Sequence, residues 1–216
     1  MNKYFKSGRS LVIIFLMLHT LAAAGSTSAL RENHCWWTTI GGGYSHTHDP
    51  FGSAIAVNHT HRLNYHQLTI RAMHYNDIQI FESSPECYAN EFGILYGPYG
   101  HFTLFQKERE NAAPIWWSMS VSFSAGISYI FGTVRGNYLY SPALFNSIYE
   151  EVPLKTVGFP AQLELRLIPS NRISIHLNGS ASINSTESFY SGWLGVSYGI
   201  QRTNSDLVRH KEIKAL

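Results

Sequence analysis

The sequence predicts an all-β protein, an eight-stranded antiparallel up-and-down transmembrane β-barrel over residues 30–201. Three observations indicate this fold. Apolar side chains alternate with small or polar ones at a period of two in several segments. The charges inside those segments fall on the small, polar side. The charged fraction is 14%, against about 25% in ordinary soluble proteins, while the aromatic fraction is also 14%.

The N-terminal segment, residues 1–29, has the three parts of a secretory signal peptide. Basic residues come first, the apolar run LVIIFLML follows, and small residues come last. Cleavage is expected after Ala24 or Ala29. The apolar run is shorter than the ~20 residues of a membrane-spanning helix, so we expect removal of the segment.

The first four strands are predicted from β-rich runs bounded by turn residues. These runs lie near 36–45, 53–61, 66–78 and 91–105. Aromatic residues near strand ends, including Trp36 and Trp37, fit the interfacial girdles of a membrane barrel.

The last four strands show the alternation most clearly. They are WSMSVSFSAGISYIFGT (117–133), VGFPAQLELRL (157–167), ISIHLNGSASIN (173–184) and FYSGWLGVSYGI (189–200). The longest connection is predicted at 135–155, an intermediate one is predicted at 106–115, and a polar tail follows at 202–216.

The charged residues within the predicted strands indicate whether the outer face of the sheet meets lipid or water. Arg71, Asp77, Glu91, Glu164 and Arg166 all lie opposite the apolar set of their strands. A soluble sandwich covers its outer face with such charges, whereas a barrel in a bilayer turns them into its lumen.

An eight-stranded barrel is just wide enough inside for side chains to fill it. We therefore expect a polar cluster in the lumen, made of Arg71, Glu91, Glu164, Arg166, Ser120, Ser122 and Ser124. The serine hydroxyls can pair with the charges. Because unpaired buried charge is costly, a structural plug is favoured over a transport path.

The signal peptide, the eight strands and the segments EFGILYG, SAGISYIFGTVRG and TVGFPAQLELRL resemble small outer-membrane β-barrel proteins of Gram-negative bacteria. The resemblance is strongest to those of the Bacteroidota, which mostly lack an assigned activity, and it covers roughly 36–201. It implies the barrel fold, a location in the cell outer membrane and contact with outer-membrane lipid, and no particular activity.

Histidine pairs occur twice at i, i+2, as His46 with His48 and as His59 with His61. On an extended chain such a pair lies on one side, where its imidazoles can bind zinc or copper. No carboxylate or thiol joins either pair at ligand spacing. Loop and strand-end positions without metal are therefore favoured, and no cofactor is predicted.

The two cysteines, Cys35 and Cys87, are predicted not to form a disulfide. In the barrel topology they lie at opposite ends of the strands. A strand of about ten residues separates those ends by roughly 30 Å, far beyond disulfide reach.

The predicted function is that of an outer-membrane barrel with a packed polar lumen and a structural or surface-interaction role through its outer loops. An unknown ligand or protein is expected at 135–155, and the protein is expected to be a monomer. The net charge of +2 argues against nucleic acid. One alternative is a lipid-modifying barrel enzyme using His176 and nearby serines, although no catalytic residue is assigned. Another is a secreted lipocalin-like barrel with the opposite facing.

Overall fold

The computed structural model of the protein describes residues 34–46, 52–77, 83–109, 112–143 and 146–201. The predicted signal peptide and the polar tail lie outside these ranges. The strands are β1 His34–His46, β2 Gly52–Leu63, β3 His66–Asp77, β4 Ser83–Ser84, β5 Tyr88–Arg109, β6 Ala112–Ala143, β7 Asn146–Ile168, β8 Ile173–Asn184 and β9 Phe189–Ile200. In the part of the chain that is described, no helix is long and apolar enough to cross a membrane.

Eight of these strands close into a ring. Neighbouring strands pair in the order β7-β6-β5-β3-β2-β1-β9-β8, and pairing of β7 with β8 completes the circle. The pairs are antiparallel, as in β2 with β3 and β8 with β9. The two-residue strand β4 pairs in parallel with β7 and is not part of the ring. The predicted eight-stranded antiparallel up-and-down barrel is therefore confirmed.

The two ends of the barrel differ in their connections. The tight turns at 64–65 and 169–172 lie at the end where β1 begins and β9 finishes, which we call the turn end. A positive φ of 58° at Asn64 suits the first of these turns, because asparagine tolerates the left-handed region. We call the opposite end, where β5 and β9 begin, the loop end.

Side-chain burial alternates along the strands with the polar set inside. On β7, Leu163 and Leu165 are 57% and 41% exposed, whereas Glu164 and Arg166 between them are 4% and 0% exposed. On β9 the buried and exposed positions alternate from Phe189 to Gly199. The ring therefore presents its apolar side chains to the surroundings and its charges to the lumen, the reverse of a water-soluble protein.

The predicted loop at 135–155 is wrong, because the chain there continues as paired strand. β6 runs to Ala143 and β7 starts at Asn146, with pairs such as Tyr138 with Tyr149. Tyrosine, isoleucine and valine are good strand formers, and they carry the pairing past the ring through several register shifts. Likewise, the predicted connection at 106–115 is mostly strand, since β5 ends at Arg109 and β6 begins at Ala112.

Glycines in β1 make room for a tryptophan in the lumen. Trp193 on β9 is 2% exposed, and it pairs with Gly43 across the β1–β9 ladder. A Cβ atom added to Gly41 would lie 2.4 Å from Cε3 of the Trp193 ring. A Cβ atom at Gly43 would lie 2.8 Å from Cβ of Trp193, so glycine is a packing requirement at positions 41 and 43.

An apolar cluster fills the lumen towards the loop end. Its buried members are Ala54, Ala56, Met73, Tyr75, Ala89, Ile130, Val134, Leu154, Phe189 and Trp193. The rings of Tyr75 and Phe189 stack with their centroids 5.1 Å apart. The lumen thus combines an apolar cap with the polar region described below.

Candidate functional site in the packed lumen

Arg166 is the centre of the polar lumen towards the turn end. Its guanidinium carbon lies 3.6 Å from the ring centroid of Trp37 and 5.3 Å from that of Tyr99. The guanidinium donates to Ser120 Oγ (3.0 Å), Gln201 Oε1 (3.2 Å) and the Tyr99 hydroxyl (2.6 Å). Arg166 is fully buried, and in such a site a cation–π contact contributes about 2 kcal/mol. Four residues, through five contacts, thus fix one charge in place.

Glu164 and His176 form a second cluster in the lumen. His176 Nδ1 lies 3.2 Å from Glu164 Oε2, and its Nε2 lies 2.9 Å from both Ser174 Oγ and Ser197 Oγ. The order serine, histidine, acid is that of a hydrolase triad. However, the two serine oxygens also bind each other at 2.6 Å, and His176 is fully buried. The geometry is that of an internal hydrogen-bond network among packed side chains.

Arg71 and Glu91 form a buried ion pair below the apolar cap. Arg71 Nη2 lies 2.8 Å from Glu91 Oε2, and both side chains have no exposed surface. Tyr75 and Ser182 each donate a hydroxyl to Glu91, at 2.9 and 2.8 Å. Removing one partner of such a pair usually costs about 3–5 kcal/mol, because the other charge is left buried alone. Three strands of the ring, β3, β5 and β8, are tied together at this point.

The serine face of β6 binds partners from other strands. Gln67 Nε2 donates to Ser122 Oγ and Ser124 Oγ, both at 3.0 Å. Ser120 accepts the bond from Arg166. Only one of these three serines therefore binds a charged group, and the other two bind an amide. A further amide chain joins Asn58, Gln162 and Asn178 across the lumen.

The lumen residues predicted from sequence all lie inside the barrel. Each of Arg71, Glu91, Glu164, Arg166, Ser120, Ser122 and Ser124 is at most 4% exposed. The structure divides them between separate clusters, since Arg71 binds Glu91 whereas Arg166 binds aromatic rings, a serine and an amide. Sequence spacing alone does not give this division, because the partners come from strands far apart in the chain.

The assignment of Trp37 to an interfacial girdle is wrong. Trp37 has no exposed surface and packs in the lumen against Arg166, whereas its neighbour Trp36 is half-buried. Tyr99 and Gln67, which hold the network together, were not predicted. The sequence does contain a signal for Tyr99. It lies an even number of residues from Glu91 on the same strand, so the alternation places both side chains on the same face.

The two histidine pairs have different surroundings. His46 is an exposed residue at the end of β1, and His48 lies outside the described residues. His59 and His61 lie on β2 with their Nε2 atoms 3.0 Å apart. Within the described ranges no group of three or more histidine, cysteine or acidic side chains is placed to hold a metal ion.

The two cysteines are buried thiols at opposite ends of the barrel. Cys35 near the start of β1 is 4.0 Å from Arg62 Nη1, and Cys87 immediately precedes β5. Burial raises the pKa of the Cys87 thiol to about 12, with Asp77 adding to the effect and Arg135 opposing it. Cys87 is therefore protonated, and poorly reactive, at neutral pH.

No family model matches the chain. No curated protein matches it either.

Solved structures with a similar fold are small β-barrels. Neisserial surface protein A has 6% identity and a TM-score of 0.44, with 77% of this chain and 96% of that chain covered. The N-terminal β-barrel domain of Pseudomonas aeruginosa OprF has 8% identity and a TM-score of 0.45, with 78% and 98% covered. Ail, the attachment invasion locus protein of Yersinia pestis, has 8% identity and a TM-score of 0.43, with 79% and 100% covered. Because these identities and TM-scores are low, the barrel architecture of this chain is inferred from its own strand pairing, described above.

Proposed function

We propose that the protein is an integral barrel of the Gram-negative outer membrane, with a packed lumen and a structural or surface-interaction role at its loop end. The facing of the strands carries this proposal. Ile127, Leu163 and Val196 are each 57% exposed, on three different strands, while Arg71 and Arg166 are buried. Outward apolar positions recur around the ring, far exceeding the patches that soluble monomers expose.

A lipid bilayer accounts for both faces at once. All neighbouring strands pair, so the ring has no free edge inside the hydrocarbon. β8 and β9 have 12 residues each, and a tilted spanning strand needs about 9–11. A lipocalin-like binding barrel requires the reverse, with an apolar lumen and a polar exterior.

The contacts inside the lumen favour a structural plug over a channel. Arg166 is held by three hydrogen bonds and two aromatic rings, and Glu91 by three donors. Charges fixed in this way by protein groups add rigidity to a ring of strands. The same burial argues against hydrolysis by His176 and its serines, since a triad acts on a substrate that reaches it.

The extended β6–β7 hairpin is the proposed interaction surface. Tyr138, Leu139 and Tyr140 are each 56% exposed, on the part of β6 beyond its last pair with β5. Exposed tyrosines are enriched in binding surfaces, because they offer contact area at a small entropic cost. This surface lies at the loop end, which the proposal places outside the cell.

Cysteine labelling in intact cells tests both the location and the orientation. Tyr140→Cys lies in the hairpin, and Ser170→Cys is the matched exposed position in a turn at the other end. A membrane-impermeant maleimide should label Tyr140→Cys in intact cells, and Ser170→Cys only after lysis. The native Cys35 and Cys87 are buried, so background labelling should be low.

Fractionation and gel mobility complete the test. The protein should sediment with outer membranes, and the unheated folded form should migrate differently from the boiled form in a denaturing gel. Recovery in the soluble periplasmic fraction, or equal labelling at both positions in intact cells, would contradict the proposal.

A further inference from the structure

Two imidazoles meet on the outer face of β2 near the turn end. His59 and His61 share the parity of outward-facing Ile55, and their Nε2 atoms are 3.0 Å apart. Their rings are 4.9 Å apart between centroids and inclined at 73°. His59 is 5% exposed, whereas His61 is only half-buried. The pair therefore combines one ring fixed by packing with one that solutes can reach.

The contacts of His59 set the orientation of its ring. Its Nδ1 lies 2.9 Å from Thr38 Oγ1, and the ring of Trp36 packs against it with centroids 6.1 Å apart. When Nδ1 carries the proton and donates it to the threonine, Nε2 keeps its lone pair. This is the arrangement of metal-binding histidines, whose second nitrogen is held by a nearby acceptor. The lone pair then lies on the side where His61 Nε2 is found.

The distance between the two nitrogens is compatible with both of them binding one ion. Two nitrogens bound at about 2.0 Å to one ion are about 2.8–2.9 Å apart at a right angle and about 3.3 Å apart at the tetrahedral angle. The observed 3.0 Å is closer to the right angle. Right-angled nitrogen ligands are typical of Cu(II) and Ni(II), and Cu(II) binds most tightly in the divalent series.

We propose that His59 and His61 form a two-imidazole binding site for Cu(II), with Thr38 as a positioning residue. The two Nε2 atoms occupy adjacent coordination positions, and water or another small ligand takes the rest. This site is independent of the lumen and of the interaction surface proposed above, because the histidines point away from the lumen at the turn end.

Copper titration of the untagged, folded protein in detergent tests the site. Electron paramagnetic resonance should show one Cu(II) per chain with two nitrogen ligands. His61→Ala should weaken binding at least tenfold and remove one nitrogen from the spectrum. His66→Ala is the matched control, since His66 is a nearby strand histidine whose ring instead stacks on Tyr96 at 5.3 Å. It should bind copper like the wild type.

The positioning role of Thr38 has its own measurement. Thr38→Val keeps the shape of the side chain but removes the acceptor for His59 Nδ1. Loss of such a partner typically lowers metal affinity by 10–100-fold. The spectrum should still show two nitrogens, because both imidazoles remain. Unchanged affinity would refute the positioning role.

Three results would overturn the site itself. They are wild-type affinity in His61→Ala, fewer than two nitrogens in the wild-type spectrum, and loss of binding in His46→Ala while His61→Ala still binds. In each case the 3.0 Å contact is simply a hydrogen bond between two imidazoles. Folding of every variant is checked by gel mobility. If His61→Ala does not fold, the wild-type nitrogen count and His61→Gln decide the question.

Discussion

Replacing Ile127 with arginine is the sharpest test of the facing of the barrel. Ile127 is 57% exposed on the outer face of β6, near the middle of the part that pairs with both neighbours. The adjacent Ser128 is 5% exposed and faces the lumen. One residue along the strand thus separates an outward-facing position from an interior one.

The expected magnitudes follow from depth in the membrane. An outward arginine costs about 2–4 kcal/mol at the bilayer midplane and about 0–1 kcal/mol near the interface. Val121 is six residues from Ile127, or about 20 Å along the strand towards the turn end, so Val121→Arg should cost much less than Ile127→Arg. Ser128 Oγ makes no hydrogen bond within the described residues. Ser128→Ala should therefore change the free energy of unfolding by less than about 0.5 kcal/mol.

The assay is urea unfolding of the protein in phospholipid vesicles, followed by tryptophan fluorescence and by the gel mobility of the folded form. Ile127→Arg should lose the most stability, Val121→Arg should lose less, and Ser128→Ala should resemble the wild type. Equal losses for Ile127→Arg and Ser128→Ala, or no dependence on depth between the two arginine variants, would refute the inferred facing.

Three further predictions concern the lumen and the loop end. Glu91→Gln should lower the free energy of unfolding by about 3–5 kcal/mol in the same assay. The double variant Glu91→Gln with Arg71→Met should lose less than the sum of the two single losses, because no buried charge then remains alone. Additive losses would mean that the two side chains are not coupled. Gly41→Ala should destabilise the barrel, since its Cβ would overlap an indole ring, whereas Gly192→Ala, with its nearest atom at 3.9 Å, should fold normally. Cys87 should react slowly with iodoacetamide at pH 8 in the folded protein and quickly in the unfolded protein. Its contribution to the free energy of unfolding should be constant below about pH 9 and fall as the pH rises towards 12, because its raised pKa makes the folded protein hold the thiol proton more tightly than the unfolded chain does. Fast alkylation of the folded protein would show that the thiol is not held protonated.

Sequence alternation was a good guide wherever both faces of a strand carry informative side chains. On β7 the polar set Gln162, Glu164 and Arg166 is buried as the parity predicts. The alternation did not predict the position of Trp37. The glycines at 41–43 have no side chains, so the sequence does not show which face of β1 is apolar and which is polar. A large aromatic near a strand end then looks like a membrane girdle residue, although here it packs on Arg166.

Strand ends were harder to predict than strand centres. The segment 135–155, predicted to be the longest connection, contains Gly136, Asn137 and Pro142, residue types that are common in turns. In the structure, β6 passes through all three as it pairs with β7, with register shifts that absorb the irregular residues. Cross-strand pairing therefore outweighed local turn preferences, a contribution that no single segment of sequence contains.

The sequence by itself determined the eight strands of the ring, the facing of most of their side chains and the presence of charges inside, because a strand has a period of two and each side chain has only two faces to choose from. The tertiary structure alone decided which groups meet in the lumen. Ser182 binds Glu91 although 91 residues separate them, and Tyr99 binds Arg166 across 67 residues. Such contacts depend on how the strands are staggered when the ring closes, and that stagger is a property of the whole barrel.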